Sequence, residues 1–190
     1  MSGDIDKAFE YIKNTAEKGN LFKNEAAFVR ASLYRMENDT QNALKYYAQL
    51  REQFPGNNLI NAQYQQIQLG DLIEQKGVQH FADNLDIYLE KYAVNNSNPL
   101  NNLAYGFLGQ QKNDLAEDVF LLNIELFPAE ANPYDSISEF YETTGDNAQA
   151  IKYAKTGLQV LPADSTADEA RKELLRGLME TRIENLSASI

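Results

Sequence analysis

The sequence predicts an all-α fold, a solenoid in which antiparallel helix pairs stack on one another and capping helices cover the ends. Three alanines, Ala43, Ala116 and Ala150, are each followed twelve residues later by a proline, although the chain has only 5 prolines. Ala116 and Ala150 are 34 residues apart (150 − 116), a length that suits a repeat of two helices. Apolar residues around these anchors recur at helical spacing. One helix pair cannot bury both of its faces, so the pairs must stack.

Composition and charge narrow the class of protein. Hydrophobic residues make up 43% of the chain, with 11 Tyr and 9 Phe, which indicates a folded chain with a core. The net charge of -11 would repel a phosphate backbone or an anionic lipid surface, so we expect neither nucleic acid nor a membrane as partner. No apolar run approaches the roughly 20 residues of a membrane span. The compartment, cytoplasmic or periplasmic, stays open.

The chain offers little material for catalysis or metal binding. It has no cysteine and one histidine, His80. Disulfides, thiolate metal sites and cysteine nucleophiles are therefore excluded, and a catalytic triad would have to be built around His80. We expect no metal site, no cofactor and no enzymatic activity.

Other positions recur around the anchor alanines and define three units, 24–57, 97–130 and 131–164. Twelve residues before each alanine is a small residue, and nine before is an aromatic one. The small residues let two helices approach closely, and the aromatic side chains fill the space between them. The small residues are Ala31, Ala104 and Ser138, and the aromatic residues are Tyr34, Phe107 and Tyr141.

The helix ends carry recognisable signals. Asn98-Pro99 and Asn132-Pro133 predict helix starts in which the asparagine caps the open N–H groups. Gly145-Asp146 predicts a turn between helices. Residues 58–96 predict an irregular unit of 39 residues (97 − 58), with a lengthened first helix and a second helix over 78–92.

The two ends predict single helices. "GDIDKAFEY" at 3–11 repeats the pattern of "GDNAQAIKY" at 145–153, so 3–20 is predicted as a lone second helix or half repeat. That helix is either a cap or a sign that the chain is a piece of a longer array, and we favour the second. Residues 165–187 predict a C-terminal capping helix, so 1–190 is predicted as a single repeat domain. Its apolar face is predicted at Ala170, Leu174, Leu175, Leu178 and Ile183.

These residues resemble the tetratricopeptide repeat family over 3–164, most strongly over 98–162. The resemblance implies a right-handed solenoid whose first helices line a concave groove. Three departures are expected to weaken individual contacts. Arg30 stands where a leucine is usual, Gln111-Lys112 replaces a Gly-Asp turn, and Gly157 replaces a second-helix alanine.

A finer resemblance concerns the C-terminal part. "NNLAYGFL" and "NPYDSISEFYETTGDNAQAIKYAKTGLQVLP" look like the repeat tail that follows the catalytic domain in some bacterial secreted serine hydrolases. This likeness implies a bacterial source and an accessory role. The catalytic motifs of such enzymes, Ser-x-x-Lys and Gly-x-Ser-x-Gly, do not occur in this sequence.

Candidate binding residues follow from the groove that the resemblance implies, because in each unit they share one stripe of the first helix. Tyr105 and Phe28 are the strongest candidates, since a large exposed aromatic side chain is unfavourable without a partner. Tyr105 could instead pack under a neighbouring helix, and the polar members could be ordinary solvated positions. The candidates are Phe28, Ser32 and Arg35; Gln66, with Ala62 and Leu69; Asn101, Tyr105 and Leu108; and Asp135, Glu139 and Glu142.

The predicted function is a non-catalytic scaffold that binds a protein or peptide. The groove is predicted to be amide-rich and aromatic at its centre and acidic at its C-terminal end, which favours a segment with basic and apolar residues. Asp135 and Glu139 lie one turn apart, and a solvated acidic stripe is favoured over acid–base chemistry. Two alternatives remain: an accessory domain of a larger hydrolase that dimerises through 1–20 or 165–190, and a small enzyme.

Overall fold

The computed structural model describes residues 23–188 and the isolated positions 7, 10, 11 and 14. Between 23 and 188 the backbone is helical apart from short connections, and no strand occurs in that range. The prediction of an all-α helical-repeat fold is confirmed. The predicted lone helix over 3–20 lies outside the continuously described residues. Within the described part, no helix combines the length and the apolar character that crossing a membrane requires.

The contacts divide the described chain into two compact units, which are larger than the predicted repeats and are called the first and second unit below. One holds the residues up to Gln75 together with Lys91–Ala93, and the other holds Lys76–Glu90 and the residues from Val94 onward. Ten α-helices and one 3₁₀ helix lie within 23–188. They are α1 Lys23–Met36, α2 Thr40–Gln53, α3 Asn58–Lys76, α4 Val78–Ala82, α5 Leu85–Lys91, α6 Asn98–Gly109, α7 Asn113–Leu126, α8 Asn132–Thr144, α9 Asn147–Val160, the 3₁₀ helix Leu161–Ala163 and α10 Glu169–Ser187.

In the first unit, α1 and α2 form a helix pair. The turn between them places Asn38 at φ 60°, and the carboxylate of Asp39 accepts a hydrogen bond from the Asn42 N–H at 3.1 Å. That bond satisfies one of the open N–H groups at the start of α2. The core of this unit joins the predicted small residues to residues from α3. It consists of Ala31, Ala43, Tyr47, Leu50, Ile60 and Ile67.

The second unit repeats the same arrangement in α6 with α7 and in α8 with α9. Ala104, Ala116 and Ala150 are completely buried, as the small-residue pattern requires. The hydroxyl of the buried Ser138 donates to the backbone carbonyl of Ala150 at 2.8 Å, so a small polar residue also suits this contact.

The prediction that Asn98 and Asn132 cap their helices is wrong. Both lie inside the first turn, and the capping positions belong to Ser97 and Ala131, which make no side-chain capping bond. Carboxylates from the end of the same repeat bind these backbone groups instead. The Ser97 N–H donates to Glu130 at 3.3 Å, and the Ala131 N–H donates to Asp164 at 2.8 Å. Each bond joins residues 33 positions apart, so local sequence could not predict it.

The irregular repeat predicted over 58–96 has two short helices where one continuous second helix was predicted. A short helix, α4, ends at Ala82, and α5 begins at Leu85. The side-chain amide of Asn84 donates to the His80 carbonyl at 2.8 Å, while the Asn84 N–H donates to the Phe81 carbonyl. The side chain therefore takes the acceptor that a continuous helix would give to the backbone.

The last helix, α10, packs on α9 and α8 with a different face from the one predicted. Leu175 and Met179 are completely buried, whereas Leu174 and Leu178 are 51% and 43% exposed. Ala170 is exposed as well, so the predicted apolar face is wrong at all three positions. The cause lies at Gly157, because a Cβ atom there would stand 2.5 Å from the Met179 sulfur. Gly157 therefore makes room for Met179, which corrects the expectation that it only weakens a contact.

Candidate functional site

The α1 candidates of the first unit contact the interior of their own helix pair. Phe28 is half-buried, and its ring lies edge-on to that of Tyr47 with 5.9 Å between centres. The hydroxyl of Ser32 donates to the Phe28 carbonyl at 3.0 Å and lies 3.1 Å from the Tyr47 hydroxyl. Since Tyr47 is buried, Phe28 and Ser32 border the core and expose only part of their surface.

The remaining candidates of the first unit connect α1 to α3 or lie on α3. Arg35 is exposed and donates a hydrogen bond to the Gln63 side chain. Gln66 is half-buried. Leu69 is completely buried, so its predicted place in the groove is wrong.

Tyr105 joins two helices that occupy equivalent places in successive repeats of the second unit. Its ring lies edge-on to Phe120 with 5.1 Å between centres, and its hydroxyl donates to Glu139 on α8 at 2.7 Å. Burial raises the pKa of the Tyr105 hydroxyl, and the negative charges of Glu139 and Asp135 raise it further. The hydroxyl therefore stays protonated and remains a donor. Tyr105 packs against a neighbouring helix, which is the alternative that the sequence left open.

The other two α6 candidates border the same surface. Asn101 and Leu108 are half-buried. The Oδ1 atom of Asn101 is buried and accepts no hydrogen bond within the described part of the chain. An acceptor without a donor is unfavourable at a buried place, and a buried water molecule is the partner that could satisfy it.

The acidic stripe on α8 is only partly solvated. Asp135 is 6% exposed, and its Oδ1 accepts a hydrogen bond from the Arg182 guanidinium at 2.7 Å. Arg182 also donates to Glu142 at 2.7 Å. The prediction of a solvated position is therefore wrong for Asp135, because α10 folds over it. Glu139 remains exposed, and the Glu142 side chain is 38% exposed.

Charge and burial compete in this cluster. Burial raises the pKa of Asp135, and the bond and charge of Arg182 offset only part of that effect. Burial lowers the pKa of Arg182, but Asp135 and Glu142 together outweigh burial and raise it. Because Arg182 has two carboxylate partners, its charged form is stabilised on balance, whereas the effect of burial still dominates at Asp135. Sequence reasoning missed Arg182, since its partners lie 40 and 47 residues earlier.

The sites share one feature. In both units, candidate side chains form hydrogen bonds with a neighbouring helix. The bonded pairs are Arg35 with Gln63, Tyr105 with Glu139, and Arg182 with Asp135 and Glu142. Part of the α1, α6 and α8 stripes therefore holds neighbouring helices together, and what remains exposed is the surface that can meet a partner.

An exposed face of α10 adds a feature that was not predicted. Six residues of one helical stripe line it, and all of them are exposed. Together with Glu142 they border a shallow depression of about 670 Å³. We call this stripe the α10 face; it consists of Ala170, Leu174, Gly177, Leu178, Thr181 and Asn185.

The titratable groups of the described residues include the single histidine of the chain, His80. The ring of His80 lies with Nε2 3.0 Å from the Tyr88 hydroxyl, and no carboxylate completes a triad there among the bonds of His80. Among the described residues, no group of three His, Asp or Glu side chains could hold a metal ion.

Comparisons with known proteins give no family. The chain matches no protein-family model and no curated protein. Two crystal structures of MamA align with it at 13% and 14% identity and TM-scores of 0.37 and 0.38, covering 86% and 83% of this chain and 87% and 92% of theirs. The MamA RS-1 ArsTM double mutant aligns at 13% identity and a TM-score of 0.38, covering 88% of this chain and 96% of its own. TM-scores below 0.5 do not establish a common fold, so the repeat architecture rests on the helix pairs described above.

Proposed function

We propose that this chain is a non-catalytic scaffold that binds a protein segment with basic and apolar side chains. The binding surface is the one that α6 and α8 form in the second unit. We call it the α6–α8 surface and define it by Asn101, Tyr105, Leu108 and Glu139. The observation that carries the proposal is the bond from Tyr105 to Glu139, which fixes an exposed carboxylate beside an aromatic ring.

The charge of this surface favours a basic partner. The helix α6 contains no charged residue. Glu139 forms no ion pair with any residue that the structure describes, although it accepts the Tyr105 bond. Arg182 is 7% exposed and shared by two carboxylates, so it does not neutralise the surface. A lysine or arginine of a partner would be attracted to Glu139, and complementary charge of this kind gives specificity.

The apolar part of the surface comes from Leu108 and the Tyr105 ring. Aromatic side chains that already pack in a fixed position lose little freedom on binding. Tyr105 is held by Phe120 on one side and by Glu139 at its hydroxyl. An apolar side chain of the partner can therefore dock beside a lysine that reaches Glu139. The candidates of the first unit, Phe28, Ser32, Arg35 and Gln66, stay predictions, as does the likeness to hydrolase repeat tails.

The test uses a blocked peptide in which Lys and Leu alternate with Pro, so that it stays extended. NMR titration of the labelled protein should move the amide signals of Leu108 and Glu139 most. Glu139→Gln should weaken binding about fivefold, because one exposed charge pair is worth up to about 1 kcal/mol. Glu125→Gln removes an exposed carboxylate from α7 and should change binding less than about twofold. Equal weakening by both variants would mean attraction by net charge alone and would overturn the proposal.

A further inference from the structure

We propose that the α10 face is a second docking site, which takes an amphipathic helix of a partner protein with leucine-like residues on one side and Lys or Arg along its flank. It consists of other residues than the α6–α8 surface and does not depend on that assignment. The stripe from Ala170 to Asn185 is exposed throughout. It spans about 22 Å at 1.5 Å per residue, or about four helical turns.

Two leucines give this face its apolar character. Leu174 and Leu178 lie one turn apart and are 51% and 43% exposed. Gly177 lies between them, and no heavy atom stands within 4 Å of a Cβ built there. A glycine in an exposed helix interior costs about 1 kcal/mol relative to alanine. The missing side chain leaves a notch in which a side chain of a facing helix can approach the backbone of α10.

The charges around the α10 face decide whether a basic or an acidic partner fits it. The four cations of α10 are engaged within the fold. Arg182 binds Asp135 and Glu142, Arg171 binds Asn132, Lys172 pairs with Glu169, and Arg176 pairs with Glu173.

Exposed carboxylates remain on the C-terminal half of the helix. Glu180 and Glu184 are exposed and form no ion pair with a residue in the described range. Glu142 borders the depression with its side chain 38% exposed. The face is therefore apolar near its middle and acidic along its C-terminal flank. A basic flank on the incoming helix complements it.

A second copy of this chain fits the face less well. In an antiparallel pair related by a two-fold axis, the same flank of both helices meets. That arrangement would bring the flank of Glu180 and Glu184 against its own equivalent, and like charges disfavour it. The basic amphipathic helix is thus the occupant to which the charges point.

The experiment measures binding of a labelled Leu/Lys peptide, designed as an amphipathic helix about four turns long, by fluorescence anisotropy. A scrambled peptide of the same composition is the control for net charge. Leu174→Ser with Leu178→Ser should weaken binding about tenfold or more. Because both leucines are exposed, the fold should survive, which circular dichroism checks. Leu121→Ser, at a leucine on α7 that is 38% exposed, should change binding less than about twofold.

Two matched double variants test whether binding requires the acidic flank. Glu180→Gln with Glu184→Gln should weaken binding about fivefold, while Asp118→Asn with Glu125→Gln on α7 should not. Glu139→Gln should leave this binding unchanged, which separates it from the α6–α8 surface. The proposal fails if the scrambled peptide binds equally well or if the serine variants bind normally. It also fails if sedimentation shows a wild-type dimer that the same two serines abolish, since a second copy would then occupy the face.

Discussion

The sulfur of Met179 lies 2.5 Å from the position that a Cβ atom on Gly157 would take, and the Cβ of Tyr134 lies 3.0 Å from the same position. Met179 is completely buried, so its sulfur has no open space to enter. We expect Gly157→Ala to lower the free energy of unfolding by about 1 kcal/mol, because overpacking outweighs the gain in helix propensity. Urea denaturation measures the change.

A glycine on α6 provides the matched control for this substitution. Gly106 is exposed, and no heavy atom lies within 4 Å of a Cβ built on it. Gly106→Ala should therefore raise the free energy of unfolding by about 0.5–1 kcal/mol. If Gly157→Ala stabilised the protein as much as Gly106→Ala does, the close approach of α9 and α10 at Met179 would be refuted.

Removing the Arg182 guanidinium should strongly destabilise the second unit. Arg182→Met leaves the buried Asp135 carboxylate without its partner, and breaking a buried pair in this way costs about 3–5 kcal/mol. The double variant Arg182→Met with Asp135→Asn should recover most of that loss, because no buried charge then remains. Urea denaturation at neutral pH compares the variants, and a double variant as unstable as the single one would contradict this account.

The stability of the single variant Arg182→Met should depend on pH in a defined way. Burial raises the pKa of Asp135, and Arg182 lowers it more than Arg171 does, so Arg182→Met should raise that pKa further. A carboxyl with a raised pKa in the folded state binds its proton more tightly there than in the unfolded chain, so stability is lost as pH rises through that pKa. The stability deficit of Arg182→Met should therefore shrink as pH falls from neutral toward the usual range of a carboxyl group. A stability deficit that stays constant with pH would contradict the assignment of the effect to the Asp135 carboxylate.

The turn between α6 and α7 departs from its counterpart in the next repeat. Gln111 adopts φ 61° where Gly145 adopts 91°. Lys112 stands at the N-cap of α7 without a side-chain capping bond, whereas the Asp146 side chain makes such a bond at the start of α9. A left-handed conformation costs a residue with a side chain about 1 kcal/mol, and a missing N-cap costs about the same. Gln111→Gly and Lys112→Asp should each raise the free energy of unfolding by about 1 kcal/mol.

The neighbouring residue tests whether the left-handed backbone is the cause. Gln110 has φ −89°, a negative value outside the left-handed region that favours glycine. Gln110→Gly should therefore bring no gain and should destabilise slightly, since glycine loses more freedom on folding. Thermal unfolding of the three variants separates the outcomes. A stabilising Gln110→Gly would attribute the effect to something other than backbone conformation at Gln111.

The repeat could be predicted from the sequence because its signal is local. Packing inside one helix pair depends on residues about twelve positions apart, as in Ser138 and Ala150, whose side chain and carbonyl bond directly. The first turns at Pro99 and Pro133 were likewise predictable, since proline fits there whatever lies elsewhere in the chain.

The site could be predicted only in outline. Helical periodicity places Tyr105 and Asp135 on their stripes, but their exposure depends on the helix that follows. Tyr105 reaches Glu139, 34 residues later, and Asp135 is covered by Arg182, 47 residues later. The orientation of α10 depends on the space at Gly157, and a glycine in a sequence does not reveal which side chain will use its space.

Asn123 offers a test of polar burial inside α7. Its side chain is completely buried, and neither its Oδ1 nor its Nδ2 has a hydrogen-bond partner among the described residues. A buried amide without partners costs about 1–3 kcal/mol. Asn123→Leu, which keeps the branch point and replaces both polar atoms by methyl groups, should raise the free energy of unfolding by about 1 kcal/mol. Asn102→Leu, at an exposed position of α6, should change it by less than about 0.5 kcal/mol. If Asn123→Leu instead destabilises the protein, a buried water molecule satisfies the amide.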